Sequence, residues 1–152
     1  MGVIMELEEI FAEVIAVHTP YTPEVIDHFS NPRNVGVIED ADGIGTIGDP
    51  DCGDFVRIYL RIRADHIREI AFEACGCPAS IATTSALTEL AEGKSINEAL
   101  AIRESDVLEA LGGLPEAKVH CSNLGTAALQ QAIVYFLQQK KNRGGYDYNP
   151  VR

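Results

Sequence analysis

The 152-residue chain has no tryptophan, only two methionines, and aromatic residues at 7%. It is short of positive charge, with 12 Lys and Arg against 23 Asp and Glu and a formal net charge of −11. A protein that neutralises phosphates needs a basic footprint, so nucleic acid is excluded as a main partner. Long hydrophobic runs are also missing. The longest span a few residues, against the roughly 20 needed to cross a bilayer, so no membrane role is expected. The opening stretch MGVIMELEEIF is acidic and has no basic segment ahead of an apolar one. It does not read as a signal or transit peptide, and the expected location is the cytoplasm. Four cysteines in such a compartment are expected to be thiols or metal ligands rather than disulfides.

What is present is a 46% hydrophobic composition, enough for one domain of this length with its own core and too apolar for a disordered acidic chain. A single domain over residues 1–152 is expected, with no internal repeat and no low-complexity segment. The acidity is uneven. Residues 1–54 hold 12 acidic side chains and one basic one, Arg33, whereas residues 55–152 hold 11 of each. The excess is either a solvated face that aids solubility or a docking surface for a basic protein partner.

Residues 3–17 place Ile4, Leu7, Phe11 and Val14 at helical spacing, which predicts an amphipathic helix within residues 1–20. Thr22 followed by Pro23 reads as an N-cap and first helical position, opening a short helix that buries Val25, Ile26 and Phe29. Residues 31–36 form a turn-rich exit. Strands are expected across residues 43–63, where Val56, Ile58, Leu60 and Ile62 alternate with Arg57, Tyr59, Arg61 and Arg63. After a turn at Ala64-Asp65-His66, Ile70, Phe72 and Ala74 continue a partner strand. Helices are then expected over 78–92, after the capping box Ser95-Ile96-Asn97-Glu98, over 105–111, and from about His120 to Lys141. The last carries a stripe of Leu124, Ala128, Ala132 and Tyr135. The tail, 143–152, is expected to be flexible.

Gly43-Ile44-Gly45-Thr46-Ile47-Gly48 matches the dinucleotide fingerprint G-x-G-x-x-G, but that motif must follow a strand and open a helix. Here an acidic turn precedes it and Asp49-Pro50-Asp51 follows, so the glycines read as shaping a tight sheet edge. The cysteines say more. Cys52 lies in a tight loop, Cys77 where strand gives way to helix, and Cys121 at the start of the last helix. Helix N-termini favour thiolates, so Cys77 and Cys121 are expected to have lowered pKa values. Three thiolates with one further donor, Asp54 or His120, make a four-coordinate site for a soft metal or an iron–sulfur cluster. Spacing alone also leaves open buried structural thiols or a redox pair.

At these residues the sequence resembles a known family, that of IscU and of the amino-terminal domain of NifU, scaffolds for iron–sulfur cluster assembly. The matching segments are Tyr21-Thr22, Val25-Ile26-Asp27-His28-Phe29, Asn31-Pro32-Arg33-Asn34-Val35-Gly36 and Gly48-Asp49-Pro50-Asp51-Cys52-Gly53-Asp54. They continue with Gly76-Cys77, Ala79 to Ser85, Thr88-Glu89-Leu90, Gly93-Lys94 and Lys118-Val119-His120-Cys121-Ser122. The resemblance implies an α+β fold, a three-stranded antiparallel sheet packed against several helices. It implies that Cys52, Cys77 and Cys121 converge to hold a nascent [2Fe–2S] cluster, with Asp54 linked to lability and Asp54 or His120 as the fourth ligand. It places Lys118 near the site. Implied partners are a cysteine desulfurase, an iron or electron donor and apo-protein recipients, with a homo-oligomer left open. Cys121 is the expected persulfide acceptor.

Two departures stand out. The family's chaperone-recognition motif, Leu-Pro-Pro-Val-Lys, reads Leu114-Pro115-Glu116-Ala117-Lys118 here. Loss of the second proline loosens an extended segment and puts recognition by an Hsp70-type chaperone in doubt. Cys75 stands where the family has a non-cysteine, as a packing residue, a spare ligand or a sulfur relay. His28 is expected to pack or cap locally, and His18 and His66 to lie at the surface. The alternative function is a zinc-dependent sulfur acceptor of the SufU kind, with zinc in place of the cluster. That branch carries an insertion between the second and third cysteines and lacks a histidine like His120. A third is a plain structural zinc domain.

Overall fold

The alternation in Phe55–Arg63 produces the central strand of a three-stranded antiparallel sheet. The computed structural model describes residues 20–49, 51 and 53–142, and the strands are β1 (Gly43–Gly48), β2 (Phe55–Arg63) and β3 (His66–Cys75), in that spatial order. Helix α1 (Pro23–Ser30) precedes the sheet. Helices α2 (Pro78–Ala91), α3 (Ile96–Leu100), α4 (Glu104–Ala110) and α5 (Ser122–Asn142) follow, with a 3-10 turn over Glu116–Cys121 leading into α5. This is the expected α+β architecture. The expected helix over residues 3–17, His18, Cys52 and the expected flexible tail lie outside the described residues.

Val56, Ile58, Leu60 and Ile62 enter one core with Ala82, Ala86 and Leu87 of α2 and Leu129, Ile133 and Phe136 of α5. Helix α5 crosses β1 and β2, and α2 packs on β3. On the opposite sheet face Tyr59, Ala71 and Ile38 form a smaller cluster, flanked by the pairs Arg61–Glu69 and Arg63–Asp42. Ala64 and Asp65, with φ of 51° and 60°, make the two-residue turn between β2 and β3 that suits strand twist.

The local signals mostly hold. Thr22 caps α1, accepting the Val25 N–H at 3.2 Å, and its own hydroxyl donates to the Leu111 carbonyl at 2.5 Å. The Ser95–Glu98 box closes reciprocally at the start of α3. Helix α2 ends before Gly93, whose φ of +81° a side chain would oppose. Phe29 is only partly buried, packed against the core rather than within it. Tyr135 departs from the expected stripe of α5, being 41% exposed. The buried arc is centred on Gly125, Leu129 and Phe136, about a quarter turn from Tyr135 at 100° per residue. Among the described residues no helix is long and apolar enough to cross a membrane.

The glycines of the fingerprint-like segment have a packing role. A Cβ on Gly43 would collide with the Ala132 carbonyl, and one on Gly45 with the Ala128 carbonyl. Bare backbone on β1 lets α5 sit directly against the strand, and among the described residues no helix opens there to receive a phosphate.

Candidate functional site

Strand β3 ends at Cys75, Gly76 turns the chain, and Cys77 becomes the N-cap of α2 in extended conformation. Pro78, which has no N–H to lose, follows as the first helical residue. The 3-10 turn Glu116–Cys121 brings the third motif to the same place. Cys77 Sγ and Cys121 Sγ lie 3.6 Å apart, and His120 Nε2 is 3.7 Å from Cys121 Sγ. Asp54 borders this point, because a Cβ built on Gly76 would come 3.7 Å from its carboxyl carbon and 3.4 Å from Ser80 Oγ. The structure therefore gathers Cys77, Cys121, His120 and Asp54 around the end of the sheet and the start of α2. Among the described residues no group of three or more His, Cys, Asp or Glu is close enough to hold a metal ion. Cys52, the remaining expected thiol, lies outside the described residues.

The two thiols differ electrostatically. Burial pushes the Cys77 thiol up, but hydrogen bonding to Ser80, to the Cys121 thiol and to the Ala79 backbone outweighs it, so its pKa is lowered. This is the expected effect of a helix N-terminus. Cys121 runs the other way. Burial first, then the hydrogen bond and the charge of Cys77, hold its pKa up, with Ser80 and Lys118 opposing. The expectation of a lowered value at Cys121 is corrected here. The residue closes a 3-10 turn instead of opening α5, which starts at Ser122 and not at His120, and it is only 5% exposed. Two negative sulfurs at 3.6 Å repel, so the first thiolate forms at Cys77 and the second proton is retained at Cys121.

Ser80 and Tyr21 were not singled out by spacing, whereas Gly76, which flanks Cys77, was. Ser80, 3% exposed, places Oγ 3.4 Å from Cys77 Sγ. Tyr21 lies within reach of the same charges. Burial raises its phenol pKa, Cys77 and Cys121 raise it further, and Lys118 lowers it. Gly76 keeps the space between Ser80 and Asp54 free of a side chain. The signal for Ser80 is its position one turn after a helix-capping cysteine.

The remaining candidates separate cleanly. Lys118 acts on Cys121 through its charge, as the resemblance implied. Cys75 is exposed at the last position of β3, opposite Phe55, and Cys77 lies beyond the strand, so strand alternation does not relate the two. His28 is buried, with Nδ1 2.8 Å from Ser85 Oγ and Nε2 3.3 Å from Glu89. It packs locally, and the fully buried Ser85 also accepts the Arg33 N–H, so this serine–histidine–glutamate line is a structural tie. His66 is exposed and bonds the Ala64 carbonyl. Glu116 to Lys118 are wound into the 3-10 turn, with the Lys118 N–H bonded to the Pro115 carbonyl, so the altered motif is not extended here.

A helix-backed three-stranded sheet with a thiol-centred site at one end defines a small α+β domain of the kind the sequence led us to expect. The chain belongs to the NifU-like N-terminal domain family, whose profile matches residues 20–143. It is 56% identical over 122 residues to the iron-sulfur cluster assembly scaffold protein IscU 1 of Archaeoglobus fulgidus, covering 80% of each chain. It is 40% identical over 125 residues to the scaffold protein IscU of Escherichia coli, covering 80% of this chain and 97% of that one. Among solved structures it resembles a putative iron-sulfur cluster assembly scaffold protein for the SUF system from Fervidobacterium islandicum. The TM-score is 0.60 at 25% identity, covering 74% of this chain and 96% of that one.

Proposed function

We propose that this protein is a scaffold on which iron–sulfur clusters are assembled and then passed to apo-proteins. The carrying observation is the sulfur pair Cys77–Cys121 at the junction of sheet, α2 and 3-10 turn, in a chain whose relatives bear scaffold names. The ligand set is Cys52, Cys77 and Cys121, completed by Asp54 or His120, and the cargo is a [2Fe–2S] cluster. A carboxylate or imidazole beside soft thiolates gives a site that holds iron–sulfur units without locking them in. The same donors accept zinc.

Sulfur arrives from a cysteine desulfurase as a persulfide. A thiolate of the scaffold attacks the terminal sulfur, the donor's S–S bond breaks, a new S–S bond forms, and the donor leaves as thiolate. Cys121 is the acceptor in this reading, which requires the Glu116–Cys121 turn to open; opening would expose the thiol and separate it from Cys77, removing both influences that hold its pKa up. An iron source and an electron donor complete the cluster, since sulfane sulfur must gain two electrons to become sulfide. A cytoplasmic location and recipients among apo-proteins belong to this reading.

Anaerobic reconstitution with ferrous iron, cysteine, a desulfurase and a dithiol reductant as electron donor tests it. Visible absorption and Mössbauer spectra of a [2Fe–2S] cluster are expected, with persulfide mass on Cys121 when iron is withheld. Zinc alone after reconstitution, with persulfide turnover, would establish the SufU-like sulfur acceptor instead.

A further inference from the structure

Every polar group of Ser80 is engaged, and its hydroxyl is engaged with sulfur. Its backbone N–H donates to the Cys77 carbonyl at 3.0 Å, and its carbonyl accepts Thr83 Oγ1 at 3.0 Å and Thr84 Oγ1 at 2.8 Å. Its Oγ lies 3.4 Å from Cys77 Sγ. The side chain is 3% exposed, and a buried hydroxyl must find a partner. Helix formation does not call for serine at this place, since the cap is Cys77 and alanine has the higher helix propensity. The absence of a side chain at Gly76 matters as well, because a Cβ there would press on Ser80 Cβ at 3.3 Å. A buried hydroxyl is thus held against the one sulfur that caps α2.

We propose that Ser80 is a positioning residue of the cluster site, donating a hydrogen bond to the Cys77 sulfur that sets the cluster's reduction potential and eases its release. The inference rests on Cys77 being a cluster ligand. A thiolate that accepts a hydrogen bond has its negative charge spread toward the donor. It binds iron less strongly and favours the reduced cluster, so the potential moves positive. Loss of the donor moves it negative and slows departure of the cluster from Cys77.

The test compares the reconstituted chain with Ser80→Ala, Ser80→Thr and Thr84→Ala. Thr84→Ala removes a buried hydroxyl of the same helical turn that donates to the Ser80 carbonyl and not to a sulfur. Far-UV circular dichroism checks that each variant is folded. Ser80→Ala is expected to load a cluster of more negative reduction potential, to lose an exchangeable proton coupling in the hyperfine spectrum of the reduced cluster, and to transfer more slowly to an apo-ferredoxin. Ser80→Thr is expected to restore all three, and Thr84→Ala to leave them unchanged. An unchanged potential and proton coupling in Ser80→Ala would overturn the proposal while leaving the scaffold function intact. An equal shift in Thr84→Ala would trace the effect to helix packing and overturn it too. Failure of the unaltered chain to load any cluster would overturn the ligand assignment at Cys77, and this proposal with it.

Discussion

Cys77 and Cys121 accommodate one negative charge between them more readily than two, because their sulfurs are 3.6 Å apart, and Cys77, the N-cap of α2, holds it more readily than the buried Cys121. Iron held by the two sulfurs would bring the positive charge that lets both ionise. Replacing either with alanine is expected to abolish stable cluster loading, read as loss of visible absorption after reconstitution with far-UV circular dichroism unchanged. In the proposed ligand set Asp54, whose carboxyl borders Gly76, would supply a hard oxygen donor and act oppositely. Asp54→Ala is expected to lengthen cluster lifetime roughly tenfold, equivalent to about 1.4 kcal/mol of barrier, measured by decay of absorption in the presence of an apo-acceptor. His28 gives a pH dependence. Burial first and Arg33 second lower its pKa below 6.5, while Glu89 and Asp27 oppose. Between that lowered value and 6.5 the unfolded chain binds a proton that the folded one does not. Stability therefore falls as pH drops through this window and levels off below it. His28→Gln is expected to show a smaller drop in Tm between pH 7 and pH 5.5 than the unaltered chain.

At the scale of elements, the site depends on how closely two helices are held to the sheet and to each other. Helix α5 lies against the bare backbone of β1. Gly45→Ala drives a Cβ into the Ala128 carbonyl and the Ala132 backbone, and is expected to cost about 1–3 kcal/mol in urea unfolding. Thr22 joins the start of α1 to the end of α4 by capping the one and donating to Leu111 at the other. Thr22→Ala is expected to cost about 1–2 kcal/mol, with a shifted urea midpoint and an unchanged slope. Helix α2 is buried around most of its circumference although it carries Thr83, Thr84 and Thr88. Each of these hydroxyls donates to a carbonyl three or four residues back, so none is left unpaired in the core.

For the whole molecule, the charge distribution is the feature that reaches beyond the site. Acidic side chains outnumber basic ones 12 to 1 over residues 1–54, which include Asp54, whose carboxyl borders Gly76 beside Cys77. A basic face on the desulfurase would be steered to that side. The dissociation constant for the desulfurase is expected to rise with salt between 50 and 500 mM, mainly through a slower association rate, as read by surface plasmon resonance or stopped flow. Affinity independent of salt would mean that the acidic excess serves solubility alone.

Much of the fold, and Cys77 and Cys121 as members of one candidate site, was legible in the chain itself. Strand β2 follows from period-two alternation, which leaves each side chain only one of two faces. The ends of α1, α2 and α3 follow from Thr22-Pro23, Gly93 and Ser95–Glu98, where a cap or a positive φ admits few residue types. Cys77 was legible because the glycine before it and the helix start after it are local. What the tertiary structure alone decided involves contacts across long sequence separations. The 44 positions between Cys77 and Cys121 close to 3.6 Å only once α2 and the 3-10 turn are packed. That packing buries Cys121, raising the pKa that a local helix-start argument would lower. It leaves Tyr135 outside the buried arc of α5, turns a nucleotide-like glycine pattern into a seat for that helix, and holds the Ser80 hydroxyl against sulfur. The charge states of the two thiols depend on burial and on each other, and neither exists until the chain has folded.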